Sequence, residues 1–275
     1  MAFARLENAD LGGLLAHTGE RMLLFAAHPD DETIGAGGHL SRWPNLRIVH
    51  ATDGAPLNML AARTYGFTTR EAYAQARRQE LLQALRLAGI GSERTIELGF
   101  GDQQCAYRLT DLTRAVAALF DKVLPQTVLA PAYEGGHPDH DSLAFAVHLA
   151  CRLCGTAAPR IVEYTLYHSR KGCIQTAAFV PAAVHEVAVQ LNPSSAALKQ
   201  RMIECFVTQR ATLAPFTSLC ERFRRAPYYN FTALPNAGDL YYAFFNWGIT
   251  GPQWLAQARL AACELGITLS RAFSA

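Results

Sequence analysis

Charge is scarce in this chain. Only 17% of its 275 residues are Asp, Glu, Lys or Arg, and together they leave a net charge of +2. Basic residues gather no further than pairs such as Arg77-Arg78 and Arg224-Arg225, so the basic footprint of a nucleic-acid binder is missing. Long apolar runs are missing too, none approaching the roughly 20 residues that a membrane helix needs. The opening residues, Met1-Ala2-Phe3-Ala4-Arg5-Leu6-Glu7, do not follow the positive, apolar, small order of a secretory signal, and the chain is read as cytoplasmic. Seven cysteines, an odd number, suit reduced thiols better than a disulfide framework. The lone Cys151-Arg152-Leu153-Cys154 spacing lies in an apolar helical pattern and reads as buried thiols. There is no internal repeat or low-complexity tract.

What the chain has is apolar mass. Half of it is hydrophobic, the composition of a compact protein with a sizeable core. Apolar runs at Arg21–Ala27, Arg47–Thr52, Arg94–Leu98, Thr127–Ala130, Arg160–Tyr167 and His185–Gln190 read as strands. Helical spacing predicts a lead-in helix over 1–20, then helices through Leu40–Trp43, Arg70–Ala88, Asp111–Val123 and Leu143–Leu153. This alternation predicts an α/β protein with a Rossmann-like, mostly parallel sheet flanked by helices. Residues 1–190 would form the catalytic core. Residues 191–275 would form a C-terminal extension packed on it within one compact domain, with helices from Ser194 or Ser195 to Gln209 and over Pro252–Leu265. Between those helices the aromatics of Pro227–Phe231 and Tyr241–Trp247 read as core or oligomer interface, or as a wall on which sugars stack. A homo-oligomer is the expectation drawn from them.

Two polar knots follow strands. The first is His28-Pro29-Asp30-Asp31-Glu32, trailed by Gly35-Ala36-Gly37-Gly38; the second is Gly135-Gly136-His137-Pro138-Asp139-His140-Asp141. In an open α/β sheet such loops lie at the carboxyl ends of the strands, where ligands bind. Catalytic zinc takes three His or carboxylate ligands and keeps a position open. His28 and Asp31 can face one point, and His140 or His137 can supply the third ligand. Asp30 is then free to take a proton. The glycines do not make a dinucleotide fingerprint, because counting from Gly35 its last position is Leu40.

These residues resemble the PIG-L (LmbE-like) family of zinc-dependent N-acetylglucosaminyl deacetylases. The likeness extends to Thr52-Asp53-Gly54, to Arg77 and Glu80, and to Lys199 with Gln209. It implies that His28, Asp31 and His140 bind Zn2+, that Asp30 is the general base, and that a charged His137 supports the oxyanion or protonates the leaving amine. It also implies that Arg77 and Asp102 contact sugar hydroxyls. Ala55 stands where family members often carry an acidic residue. The expected activity is removal of the acetyl group from a small N-acetylated amino sugar, with no nucleic acid or membrane as partner. Fe2+ suits the same ligand set. The alternatives are a catalytically silent sugar-binding protein and a zinc hydrolase of another amide.

Overall fold

The computed structural model describes residues 19–216 and 219–269. All but the last two positions of the predicted lead-in helix lie outside the described residues. The strands are β1 (Met22–Ala26), β2 (Leu46–Pro56), β3 (Thr95–Asp102), β4 (Thr127–Pro131), β5 (Arg160–Tyr164), β6 (Tyr167–Arg170), β7 (Cys173–Thr176), β8 (Glu186–Gln190) and β9 (Cys220–Arg225). The α-helices are α1 (Asp31–Ala36), α2 (Leu60–Thr64), α3 (Arg70–Leu87), α4 (Leu109–Val123), α5 (Pro138–Cys154), α6 (Pro193–Glu204), α7 (Arg210–Leu213) and α8 (Gly251–Glu264).

Seven strands form one sheet in the order β3-β2-β1-β4-β5-β9-β8. The first five are parallel, and β9 runs antiparallel to both β5 and β8. The order reverses between β1 and β4, a topological switch point of the kind where open α/β sheets bind ligands. Both knots leave the sheet there. β9 lies between β5 and β8, so residues beyond 190 supply a strand to the same sheet.

Strand periodicity explains the layering. Met22, Leu24 and Ala26 of β1 face a core that holds Leu81 and Leu85 of α3, Met202 of α6 and Trp43. Leu23, Phe25 and the following Ala27 face the other core, with Leu112 and Val116 of α4 and Leu143 and Val147 of α5. β1 is thus buried on both faces, which is why it reads as an unbroken apolar run. A further layer closes over α5, where Trp254 of α8 packs with Phe145, Tyr133 and Phe231. Its indole Nε1 donates to Ser142 Oγ at 3.0 Å. Tyr229 and Phe231 therefore serve the core, whereas Phe245 and Trp247 line a pocket.

Several boundaries move. The first helix starts at Asp31, inside the polar knot, not after the glycines, and only a 3-10 turn covers Leu40–Arg42. Gly35 and Gly37 are small because of their neighbours: a Cβ on Gly35 would lie 2.0 Å from Tyr164 Cδ2, and one on Gly37 2.5 Å from Thr33 O. Helix α5 likewise begins within the second knot, at Pro138, a favoured residue for a first helical position. Asn192 caps α6, with its side chain accepting from Ser195 N. The strand expected to reach Tyr167 stops at Tyr164, and Tyr167 opens a separate β6–β7 hairpin.

Candidate metal centre and active-site pocket

The side chains at the switch point converge. His140 Nε2 lies 3.3 Å from His28 Nδ1 and 3.2 Å from Asp31 Oδ1, and His28 Nδ1 lies 3.4 Å from Asp31 Oδ2. All three residues are buried. Two imidazole nitrogens facing each other beside a carboxylate suit a shared cation. Tetrahedral ligands each about 2.0–2.2 Å from zinc stand roughly 3.3–3.6 Å apart, so the observed separations fit a divalent ion. The backbone N of His28 donates to Asp31 Oδ2 at 2.8 Å and fixes that carboxylate.

Asp30 stays outside the triad. Its φ of 138° is a conformation that L residues rarely adopt, and strain of this kind gathers at functional sites. Two contacts hold it there. Its backbone N donates to Glu32 Oε2 at 3.1 Å, and its Oδ2 accepts from Arg77 Nη2 at 2.8 Å. Burial raises the Asp30 carboxyl to about 8 against the pull of Arg77, and the Asp31 charge adds to the rise. Glu32 also accepts from His50 Nε2 at 3.1 Å and from Thr33 Oγ1 at 2.6 Å, a buried brace beneath the knot.

His137 caps α5. Its Nδ1 accepts from Asp139 N at 3.1 Å, so the ring proton belongs on Nε2. A charged His137 would set a second N–H against that amide. Burial, and then the neighbouring His28 and His140, hold its pKa well below the usual histidine value. With Nδ1 accepting that amide, the ring is placed to donate through Nε2.

Asp102, at the end of β3, lies 3.3 Å from His28 Nε2. Burial would raise its pKa, but the charge and hydrogen bond of His28 hold it at about 2. Arg77 lines the pocket, with Nη1 donating to Gly54 O at 2.6 Å and Nη2 to Pro29 O at 2.8 Å as well as to Asp30. Lys199 and Gln209 fall on opposite sides of this boundary. Lys199 is buried in an ion pair with Glu221 and does not line the pocket, whereas Gln209 lines it and donates to Tyr73 Oη at 2.7 Å.

One residue had no role in the sequence reading. Asp139 accepts from Gln103 N at 2.6 Å and Cys105 N at 3.1 Å, and its Oδ2 stands 3.4 Å from His28 Nε2. It ties the β3 loop to the second knot and steadies the first imidazole from behind, as carboxylates beside metal-ligating histidines commonly do. Its place between the two histidines of the knot was the available signal. Trp247 belongs to the aromatic run read as a possible sugar wall, but its place 4.6 Å from His137 ring to ring had no signal, because 110 residues of sequence separate the pair.

At the switch point two histidines and one carboxylate thus form a buried group that could hold a metal ion, with a second carboxylate beside it. Residues 23–151 match the family described as "GlcNAc-PI de-N-acetylase", PIG-L. It is 30% identical over 168 residues to the "1D-myo-inositol 2-acetamido-2-deoxy-alpha-D-glucopyranoside deacetylase" of Rhodococcus jostii, covering 50% of this chain and 55% of that protein. It is 31% identical over 136 residues to the "Probable N-acetyl-alpha-D-glucosaminyl L-malate deacetylase 2" of Bacillus subtilis, covering 46% and 59%. The match thus spans little more than half the length of these relatives. The fold is that of a crystallised deacetylase triple mutant of the teicoplanin biosynthetic pathway, at TM-score 0.59 and 17% identity over 74% of this chain and 97% of that one.

Proposed function

We infer that this protein is a metal-dependent N-deacetylase that hydrolyses the acetamide of a small N-acetylated amino sugar, with zinc as its ion. The observation that carries the reading is the separation of roles in one knot: Asp31 closes a triad with His28 and His140, while Asp30 is turned away by its backbone and held by Arg77. The family and the names of the relatives support the acetyl group and the amino sugar as substrate features.

The triad His28, Asp31 and His140 would hold the ion, which lowers the pKa of water and polarises a carbonyl. Asp30 takes a proton from the attacking water as its oxygen adds to the amide carbon. The Nε2–H of His137 donates to the oxygen on which negative charge develops. Since His137 Nδ1 is already occupied by the Asp139 amide, the proton that the departing nitrogen needs comes from Asp30. The C–N bond breaks, and acetate and the free amine leave. Asp102 and Arg77 border the sugar subsite, Asp102 as the acceptor for a hydroxyl and Arg77 through its hold on Asp30.

Asp30→Asn tests the assignment beside His140→Ala. The first is expected to keep the bound zinc and lose about 10²–10⁴-fold in acetate release; the second is expected to lose zinc as well. Near-normal turnover in Asp30→Asn with full metal content would refute the role of Asp30.

A further inference from the structure

The pocket over the triad encloses about 380 Å³, within the roughly 300–1,000 Å³ range of small-molecule sites. Its floor carries three carboxylates, Asp30, Asp31 and Asp102. Among the described residues that line it, Arg77 is the only Lys or Arg, and its two terminal nitrogens already donate to Asp30 and to the carbonyls of Pro29 and Gly54. Beyond Arg77 and the three histidines at the metal site, the lining offers no basic side chain to a phosphate or carboxylate carried on the aglycone, and burying such a charge without a partner is unfavourable.

The way out of the pocket is apolar. From His137 the rings of Trp247 and Phe245 succeed one another at 4.6 Å each, the last two stacked within 11°. Leu60 on α2 lines the same pocket. Leu60 is 68% exposed and Phe245 42% exposed, and Leu57 and Phe244 beside them in the chain are also exposed. Exposed apolar groups gathered at the mouth of a polar site mark a contact surface. A monosaccharide bound by its acetamide at the triad has polar partners in the lining in Gln103 and Gln209, and whatever is attached to it meets the rim.

We propose that this pocket selects amino sugars whose aglycone is uncharged and apolar, an alkyl or aryl group seated between Leu60 and the Phe245–Trp247 stack, and disfavours phosphorylated or nucleotide-linked sugars. The selectivity rests on the deacetylase reading and narrows it. With the zinc-loaded full chain, kcat/KM for acetate release is measured on methyl N-acetylglucosaminide, on octyl N-acetylglucosaminide below its micelle concentration, and on N-acetylglucosamine 1-phosphate. The octyl glycoside is expected to exceed the methyl by at least about tenfold, since each buried methylene is worth roughly fourfold, and the phosphate is expected to fall below the methyl. In the double variant L60S/F245S the octyl-to-methyl ratio is expected to fall toward one. An octyl-to-methyl ratio within twofold, a 1-phosphate that outruns both glycosides, or a ratio unchanged in the double variant overturns the proposal while acetate release from the methyl glycoside leaves the deacetylase reading standing. Acetate release from none of the three overturns that reading, and the proposal with it.

Discussion

Arg77 and Asp30, 47 positions apart in the chain, form a buried ion pair at 2.8 Å. Arg77 projects from α3, a helix whose own core face is fixed by Leu81 and Leu85. Through it the first knot is anchored to that helix. The same guanidinium holds the carbonyls of Pro29 and Gly54, so one side chain gathers the loop after β1, the bend near the end of β2, and the carboxylate assigned to proton transfer.

Removing that hold is expected to damage catalysis more than metal binding. In Arg77→Met, Asp30 becomes a buried carboxylate without its cation, and both its position and its charge state change. Turnover is expected to fall at least about 10²-fold, in the range associated with loss of positioned acid-base chemistry, with zinc content equal to that of the parent. Metal analysis alongside acetate release checks this; loss of metal in step with activity would show that Arg77 builds the triad rather than the base.

How much of this was legible beforehand follows from which contacts are local. Strands β1 and β4 and helix α3 announce themselves by periodicity, and the two knots by their ligand-bearing residues at strand ends. Convergence of His28 with His140 follows once both strands lie side by side at a parallel switch point. The role of Gly35 was out of reach, because its small size answers to Tyr164, 129 residues later. The hydrogen bonding of His137 was likewise out of reach, since its ring caps the Asp139 amide of a helix whose start lies inside the motif. Strand β9 went unread, because Cys220–Arg225 sets four charged residues around Phe223 and lacks the alternation that marks a strand.

The triad gives a stability test that does not depend on turnover. A ligand that binds only the folded chain stabilises it by about 2.7 kcal/mol at 100 times its Kd. For a chain of this size that corresponds to roughly 5–10 °C in Tm. Chelation is expected to lower Tm by this amount, and zinc to restore it, whereas His140→Ala should show no zinc-dependent shift. An equal shift in that variant would place the ion elsewhere.

Gly35→Ala tests the fit between α1 and the sheet. The added methyl would meet a Tyr164 ring that is fully buried and pinned by its hydroxyl, which donates to Phe25 O at 2.7 Å. With no room for the ring to swing, α1 must shift, at a cost of about 1–3 kcal/mol. Asp31 opens that same helix, so zinc affinity is expected to fall together with the denaturation midpoint. A variant with lowered stability and unchanged zinc affinity would show that α1 moves without carrying its first residue along.

Lys199 and Glu221 offer a pH signature remote from the metal. Glu221 is buried, accepts from Lys199 Nζ at 2.9 Å and Gly38 N at 2.8 Å, and pairs with His39. Burial alone would raise its pKa, but the Lys199 charge and the hydrogen bonds from His39 and Gly38 outweigh it and hold the carboxyl below its ordinary value. A folded pKa below the unfolded one contributes stability above the unfolded pKa, about 4.3 for Glu, and that contribution is lost as pH falls through the folded value. In Lys199→Met the balance reverses: burial is left without its main opponent, the folded pKa moves above the unfolded one, and stability now declines as pH rises. The deficit relative to the parent is therefore expected to be small near pH 5 and to grow to about 3 kcal/mol by pH 8, the scale of breaking a buried pair on one side. Urea unfolding of both proteins across that range checks the sign, and a deficit that stays constant with pH would mean that Lys199 acts by packing and by its bond to Ile34 O instead of by charge.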